Sequence, residues 1–385
     1  MMETKRGAVM EENVSSFVEL FANIPDERQE WKVKHKLVDI IFIAVVATIA
    51  DCDDWEEIEW FGKLKENWFR KYLELPNGIP SHDTIERVFS WIDPDKFRGA
   101  FMAWVALAMG IKTPGVIAVD GKTMCGTDDA GKKALHVVNA WFGENKLVLG
   151  QVFVDEKSNE IKAIPELLDI LDVTGHIVTI DAGGTYKDIA GKITKGGGDY
   201  VLALKGNQGN MFDDVRFFFE NEIGRKDGGF DIQSVTKREK GHGRIETRTY
   251  YQTEKIDWLD MRDDWPALKS IGAVHSHITN TSTGEVSEVT RYFISSLGAD
   301  VSRFAYAVRM HWGVESMHWT LDTTFNEDSR RSRKDNSAKN LSQLLRLAYD
   351  IIKSVDAPKR MPIKRLRKQA MVDDKYLDKL ISSVF

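Results

Sequence analysis

Cysteine and proline are scarce in this 385-residue chain, which holds two of the first and nine of the second. Cys52 and Cys125 cannot build a disulfide scaffold or a Cys-rich structural zinc site, and they suit a reducing compartment. A composition near the globular average, with 42% hydrophobic and 29% charged residues, argues against collagen and wholesale disorder. Long hydrophobic runs are also missing. The longest, Leu37 to Ala50, contains Asp39 and falls short of the roughly 20 residues that span a bilayer. It reads as a buried core helix. The opening Met-Met-Glu-Thr-Lys-Arg leads into no apolar signal region, so a cytoplasmic protein without membrane contact is expected. Net positive charge is absent too: 53 basic against 59 acidic side chains give −6, which disfavours a general nucleic-acid coat.

The distribution of charge matters more than its sum. Residues 51–59 (DCDDWEEIE) carry six acids and no base, while residues 330–368 carry thirteen Lys or Arg against three Asp. A local polyanion site and a solvated basic face with a basic tail both fit that pattern.

Residues 1–30 are polar and read as a flexible N-terminus. Residues 31–112 read as a helical domain. Trp55, Ile58, Phe61 and Leu64 recur at three-residue steps, and Asp83 with Glu86 has capping-box spacing. Asp93-Pro94 is a helix start and Gly110 a helix stop. The texture changes at Val116. Val116–Asp120, Leu135–Phe142, Leu147–Val154, His176–Asp181 and Tyr200–Leu204 read as strands, with helices at Ile161–Leu171 and Tyr186–Ile193. The order β-β-β-α-β-α-β is mixed α/β, not a repeated βαβ nucleotide fold. Residues from about 220 to 296 read as a β-rich insertion, 300–353 as helical, and 356–385 as a basic C-terminal tail.

Asp120 and Asp181 each close an apolar strand, where open α/β sheets place their ligands. Either alone could be a helix cap. Together they suit a hard divalent cation, because Mg²⁺ takes oxygen ligands from one or two carboxylates plus substrate phosphates. Glu315 is the candidate third acid. His311, Glu315, His318 and Asp322 follow helical spacing and would share one face, which could also be solvated or bind zinc. The spacing lacks the His-Glu-x-x-His pattern, so zinc is the weaker option. Gly183-Gly184 and Gly196–Gly198 read as turns, while Lys205, Asn207 and Gln208 follow a strand and could contact a phosphodiester.

Several ordered stretches carry a family resemblance. Ala118-Val-Asp-Gly-Lys122, Leu135–Trp141, Lys157-Ser-Asn-Glu-Ile161, Val178–Ala182, Tyr200–Gln208, Gly241–Arg248, His311–Glu315 and His318–Asp322 resemble DDE-type insertion-sequence transposases. The nearest group is ISAs, whose relatives are called H-repeat-associated proteins. The resemblance covers roughly residues 30–355, and Leu75–Thr84 resembles the helical domain preceding the catalytic one in that group. It implies a ribonuclease-H-like α/β catalytic domain over 113–355 with a β-rich insertion, preceded by a small all-α domain that binds DNA. The gap from Asp181 to Glu315, 134 positions against 61 from Asp120 to Asp181, leaves room for that insertion.

By resemblance, Asp120, Asp181 and Glu315 hold Mg²⁺, with Mn²⁺ as substitute, for cutting transposon ends and joining them to target DNA. Lys122, Lys205, Asn207, Gln208, His242, Arg244, Arg309, Arg330, Arg331 and Arg333 are the expected contacts to double-stranded DNA. A homodimer in the DNA complex and a bacterial, nucleoid-associated location are also expected. The sequence departs from the family pattern at Cys125 (Arg expected), at Ala182–Thr185 (no Gln) and at Ser316 (Asn expected). His311, Asp322 and Val308 stand where related transposases carry Arg, Lys and Tyr around the third acid. Those departures keep two rivals in play: a DNA-binding protein that no longer cuts, and a metal-dependent nuclease that never joins strands. A glycosidase with paired carboxylates is permitted by the eleven Trp but not called for by their placement.

Overall fold

Thirteen consecutive buried residues from Leu37 to Ile49 anchor the molecule, as the apolar run requires. The computed structural model describes residues 17–110, 113–127, 134–154, 160–225, 230–241, 243–355 and 361–382. Helix α1 covers residues 17–22 and α2 is Leu37–Ile49. Next come α3 (Trp55–Leu64), α4 (Glu66–Phe69), α5 (His82–Trp91) and α6 (Pro94–Met109). Asp93 caps α6 by accepting from Asp95 N at 2.8 Å, and Gly110 ends it in the left-handed region at φ 46°. Helix α5 departs from the capping-box expectation. It starts at His82, whose N–H is satisfied by Glu59 Oε2 at 2.7 Å rather than by a local cap.

The expected flexible N-terminus is corrected from residue 17 onward. Phe17 and Phe21 are fully buried, stacked at 4.2 Å, and meet Phe42 and Phe97, so α1 belongs to the core. Burying two such rings outweighs the polarity of their neighbours.

Among the described residues, nine strands form one sheet in the order β3-β2-β1-β4-β5-β9-β8-β7-β6. The first five are β1 (Val116–Thr123), β2 (His136–Phe142), β3 (Leu147–Val154), β4 (Ile177–Ile180) and β5 (Asp199–Leu204). β1 and β2 pair antiparallel, as do β2 and β3, while β1, β4 and β5 run parallel. The segment read as an insertion supplies β6 (Gln233–Gly241), β7 (Arg244–Thr253), β8 (Ser270–Asn280) and β9 (Val286–Ser295). These strands do not form a separate body. β9 pairs antiparallel with β5 and prolongs the same sheet.

Helices α7 (Glu160–Ile170), α8 (Lys187–Lys195) and α9 (Asn210–Glu222) share one core with Ile117, Val119, Ile180 and Leu202. On the other face lie α10 (Val301–His311), α11 (Gly313–Thr324) and α12 (Ser337–Ser354), followed by α13 (Ile363–Val372) and α14 (Asp374–Ser382). There α1–α6 and α11–α14 share a single core that also takes in Ala118, Trp141 and Val148.

The expected basic tail is therefore corrected within 361–382. Leu366, Ala370, Leu377, Leu380 and Ile381 are buried, and fully buried Arg367 pairs with Asp51 and Asp53 at 3.0 Å each. The acidic cluster at 51–59 and the basic run thus neutralise each other in part. No helix among the described residues is long and apolar enough to cross a membrane.

Candidate active site

The β1–β4 ladder ends where Val119 faces Ile180, one position before Asp120 and Asp181. Beyond that point β1 stays with β2, pairing Asp120 with Asn139, while β4 gives way to a short 3₁₀ turn, Ala182–Gly184. The two acids therefore stand at the point where neighbouring strands part, which opens a crevice at their carboxyl ends.

Asp181 Oδ1 accepts from Gly183 N at 3.0 Å and Gly184 N at 3.2 Å. Asn207 Nδ2 and Gln208 Nε2 both donate to Ala182 O at 2.8 Å, and Lys205 N donates to Gln208 Oε1 at 2.7 Å. The two amides expected at phosphate thus brace the Asp181 turn instead. Lys205 keeps its side chain in solvent.

The helix read as continuous through His311–Asp322 breaks at Trp312, between α10 and α11. Gly313 is needed at the break because a Cβ there would overlap the Trp141 ring of β2. His311, His318 and Asp322 face the sheet rather than solvent. His311 Nδ1 lies 3.0 Å from Thr179 Oγ1, and His318 Nδ1 lies 3.6 Å from Asp120 Oδ2. Glu315 sits exposed in the first turn of α11. Asp322 accepts from Lys122 of β1.

Burial is the main force on these groups. Together with the charge of Asp181, and with smaller contributions from Glu160 and Glu315, it pushes the Asp120 carboxyl up to about 7 against the Gly121 N–H. Burial lowers His311 to about 4, although Asp181 pulls the other way. It also lowers His318 to about 3, helped by the charge of Arg346. Both imidazoles are neutral at pH 7.

Glu160, at the start of α7, lies within the stretch Lys157–Ile161 that resembles the family, which by itself assigns it no role. It is a fourth carboxylate at this crevice, paired with His136 of β2, and both lie where a Cβ on Gly121 would sit. Arg346 and Asn139 were likewise missed. Both are fully buried, with Arg346 Nε donating to Asn139 Oδ1 at 2.6 Å.

Two more of the expected DNA contacts are corrected. Lys122 is 9% exposed and donates to Asp322 and to Glu327 Oε2 at 2.7 Å, so its charge is consumed inside. Arg330 pairs with Asp53 at 3.0 Å with its side chain 8% exposed. Arg333 Nε donates to Gly126 O at 3.2 Å, and Arg309 pairs with Glu239 at 3.3 Å. Arg244 and Arg331 are exposed, and His242 lies outside the described residues.

The donor set fits a hard divalent ion in kind: carboxylate oxygens whose mutual repulsion already raises one of their number. Among the described residues, no three His, Cys, Asp or Glu side chains close into a ready cage.

Comparison with known proteins gives concordant matches. Residues 111–351 match the family described as "Transposase DDE domain", and residues 18–105 match "DDE_Tnp_1-associated". The chain is 40% identical to "Putative transposase YncI" of Escherichia coli O157:H7, over 96% of this chain and 95% of that one. It is 39% identical to "H repeat-associated putative transposase YhhI" of Escherichia coli K12, over 96% of this chain and 98% of that one. Among solved structures, a piggyBac transposase synaptic complex with hairpin DNA aligns with a TM-score of 0.39 at 11% identity, over 96% of this chain and 79% of that chain.

Proposed function

The chain belongs to the transposase DDE-domain family, and from that premise we propose that it cuts transposon ends and joins them to target DNA at Asp120, Asp181 and Glu315. The observation that carries this reading is the parting of β1 from β4 at the two aspartates, with Glu315 close enough to raise Asp120. The order β3-β2-β1-β4-β5 supports a ribonuclease-H-like core, with β6–β9 as its insertion.

The three acids would hold Mg²⁺, or Mn²⁺ in its place. When bound, such ions supply Lewis-acid activation of the attacking oxygen and charge relief on the leaving one. The chain's own residues do the rest. Gly183 and Gly184 hold Asp181 Oδ1 and so fix the carboxylate that would serve as a ligand. Neutral His311 and His318 fill the wall behind the aspartates without adding positive charge that would compete with the ions.

Phosphates would be met by Lys205, Arg244 and Arg331, and by Arg291, which stacks 4.5 Å over Trp312 and feels the charge of Glu315. A concavity of about 860 Å³ in the helical layer, lined by Lys32, Lys34, Arg87 and Trp91 beside Glu27, offers a second basic surface for duplex DNA. Synapsis of two ends calls for two copies of the chain.

The test is substitution. Asp120→Asn, Asp181→Asn and Glu315→Gln should each abolish Mg²⁺- and Mn²⁺-supported cleavage while duplex binding persists. Normal turnover in any of them would overturn the assignment.

A further inference from the structure

A line of side-chain hydrogen bonds runs from the protein interior to His318, whose other ring nitrogen stands 3.6 Å from the first acid. Arg346 is fully buried on α12, with Nη1 held by Glu327 Oε1 at 2.5 Å and Ser342 Oγ at 2.7 Å. Its Nε donates to Asn139 Oδ1 at 2.6 Å. A guanidinium can only donate, so the amide oxygen must face it. Asn139 Nδ2 therefore faces the other way, 3.1 Å from His318 Nε2. An amide NH₂ also can only donate, so Nε2 must accept and cannot carry a proton. The ring's one proton then sits on Nδ1, the nitrogen 3.6 Å from Asp120 Oδ2. Each step fixes the next.

Removing Arg346 alone would strand buried Glu327, but stability does not require that an ion pair be built here in the first place. A buried ion pair is often matched or bettered by apolar residues of similar volume, and Arg346 Nη2 has no hydrogen-bond partner among the described residues.

We propose that Arg346, Asn139 and His318 form a positioning device that holds the imidazole as its Nδ1–H tautomer, aimed at Asp120 Oδ2, and so sets the carboxylate's rotamer for metal and DNA. The opposite tautomer would turn a lone pair on the carboxylate and drive it out of place. The consequence for metal and DNA rests on the proposed function; the tautomer does not. Partners that orient a metal ligand in this way typically matter about 10–100-fold in affinity or activity.

The experiment uses the full chain with ¹⁵N-labelled histidine. Imidazole ¹⁵N–¹H spectra, with His318 assigned by its loss on substitution, should show Nδ1–H in the wild type. Asn139→Asp replaces the donor with an acceptor and should move the proton to Nε2. A second pair of variants bypasses any folding problem at Asn139. An Asn side chain places its NH₂ near the position of imidazole Nδ1, and a Gln places its amide near Nε2. His318→Asn therefore keeps the donor toward Asp120, while His318→Gln keeps only the contact to Asn139. His318→Asn should exceed His318→Gln about tenfold in Mn²⁺ affinity by calorimetry and in nicking rate.

An Nε2–H wild type, an unchanged tautomer in folded Asn139→Asp, or equal Mn²⁺ affinity in the two His318 variants would each overturn the proposal. If no protein nicks DNA, wild type included, while the tautomer and the Mn²⁺ order hold, the transposase reading fails and the device stands.

Discussion

Lys122 Nζ donates to Glu327 Oε2 at 2.7 Å in the interior, where Glu327 keeps 2% of its surface and Lys122 9%. Arg346 reaches the same carboxylate at 2.5 Å, so one buried acid ties the strand that carries Asp120 to helix α12. Lys122→Ala would leave Glu327 short of a partner and should cost about 3–5 kcal/mol in denaturant unfolding. The salt dependence of DNA binding should not change. Acid titration gives a second readout. Burial alone would raise Glu327, but Arg346 and Lys122 overcome it and hold the carboxyl at about 2. Its stabilisation is thus present above the unfolded value of 4.5 and is lost as pH falls toward 2. The wild type should show that loss, and Lys122→Ala should show less of it.

Asp120 has the opposite sign. Its carboxyl stands at about 7 in the folded chain against 3.8 unfolded, chiefly through burial and the charge of Asp181. The folded state therefore binds more protons between those values, and stability falls as pH rises through that window. Asp120→Asn removes the penalty. It should be more stable than wild type at pH 8, by up to about 4 kcal/mol, and nearly equal at pH 4. Added Mn²⁺ should raise the wild-type melting temperature at pH 8 and leave the variant unmoved. A variant less stable than wild type at pH 8 would contradict the crowding of carboxylates.

What was legible in the sequence was local. Asp120 and Asp181 each follow an apolar run that announces itself within four or five residues, although β1 continues past Asp120 to Thr123 along β2. Partnerships across the chain were not legible. Arg346 and Asn139 stand 207 positions apart, and an arginine within a basic run gives no sign of being buried. Lys122 looked like a phosphate contact because its acids, Asp322 and Glu327, come some 200 positions later. The terminal helices were hidden because their charged faces dominate the composition, although Leu366, Ala370, Leu377 and Ile381 mark the buried side. The family stretch that contains Glu160 was the available signal for a fourth acid at the crevice.

Salt dependence separates surface arginines from internal ones. Each phosphate contact contributes about 0.9 to the log–log slope. Alanine at Lys205, Arg244 and Arg331, all exposed, should flatten the slope by about two to three units. Arg330→Ala should leave the slope alone and lower stability, because Arg330 is spent on Asp53. A flattened slope in Arg330→Ala, with stability intact, would reassign that residue to DNA.

The most direct measurement is to map the 3′ ends formed when the folded protein meets its own flanking DNA with Mg²⁺. The account predicts discrete 3′-hydroxyl ends at the element border with the wild type, and none with Asp120→Asn, Asp181→Asn or Glu315→Gln. Wild-type protein that binds the duplex yet leaves no discrete ends, or an Asp181→Asn variant that produces them at the wild-type level, would contradict it.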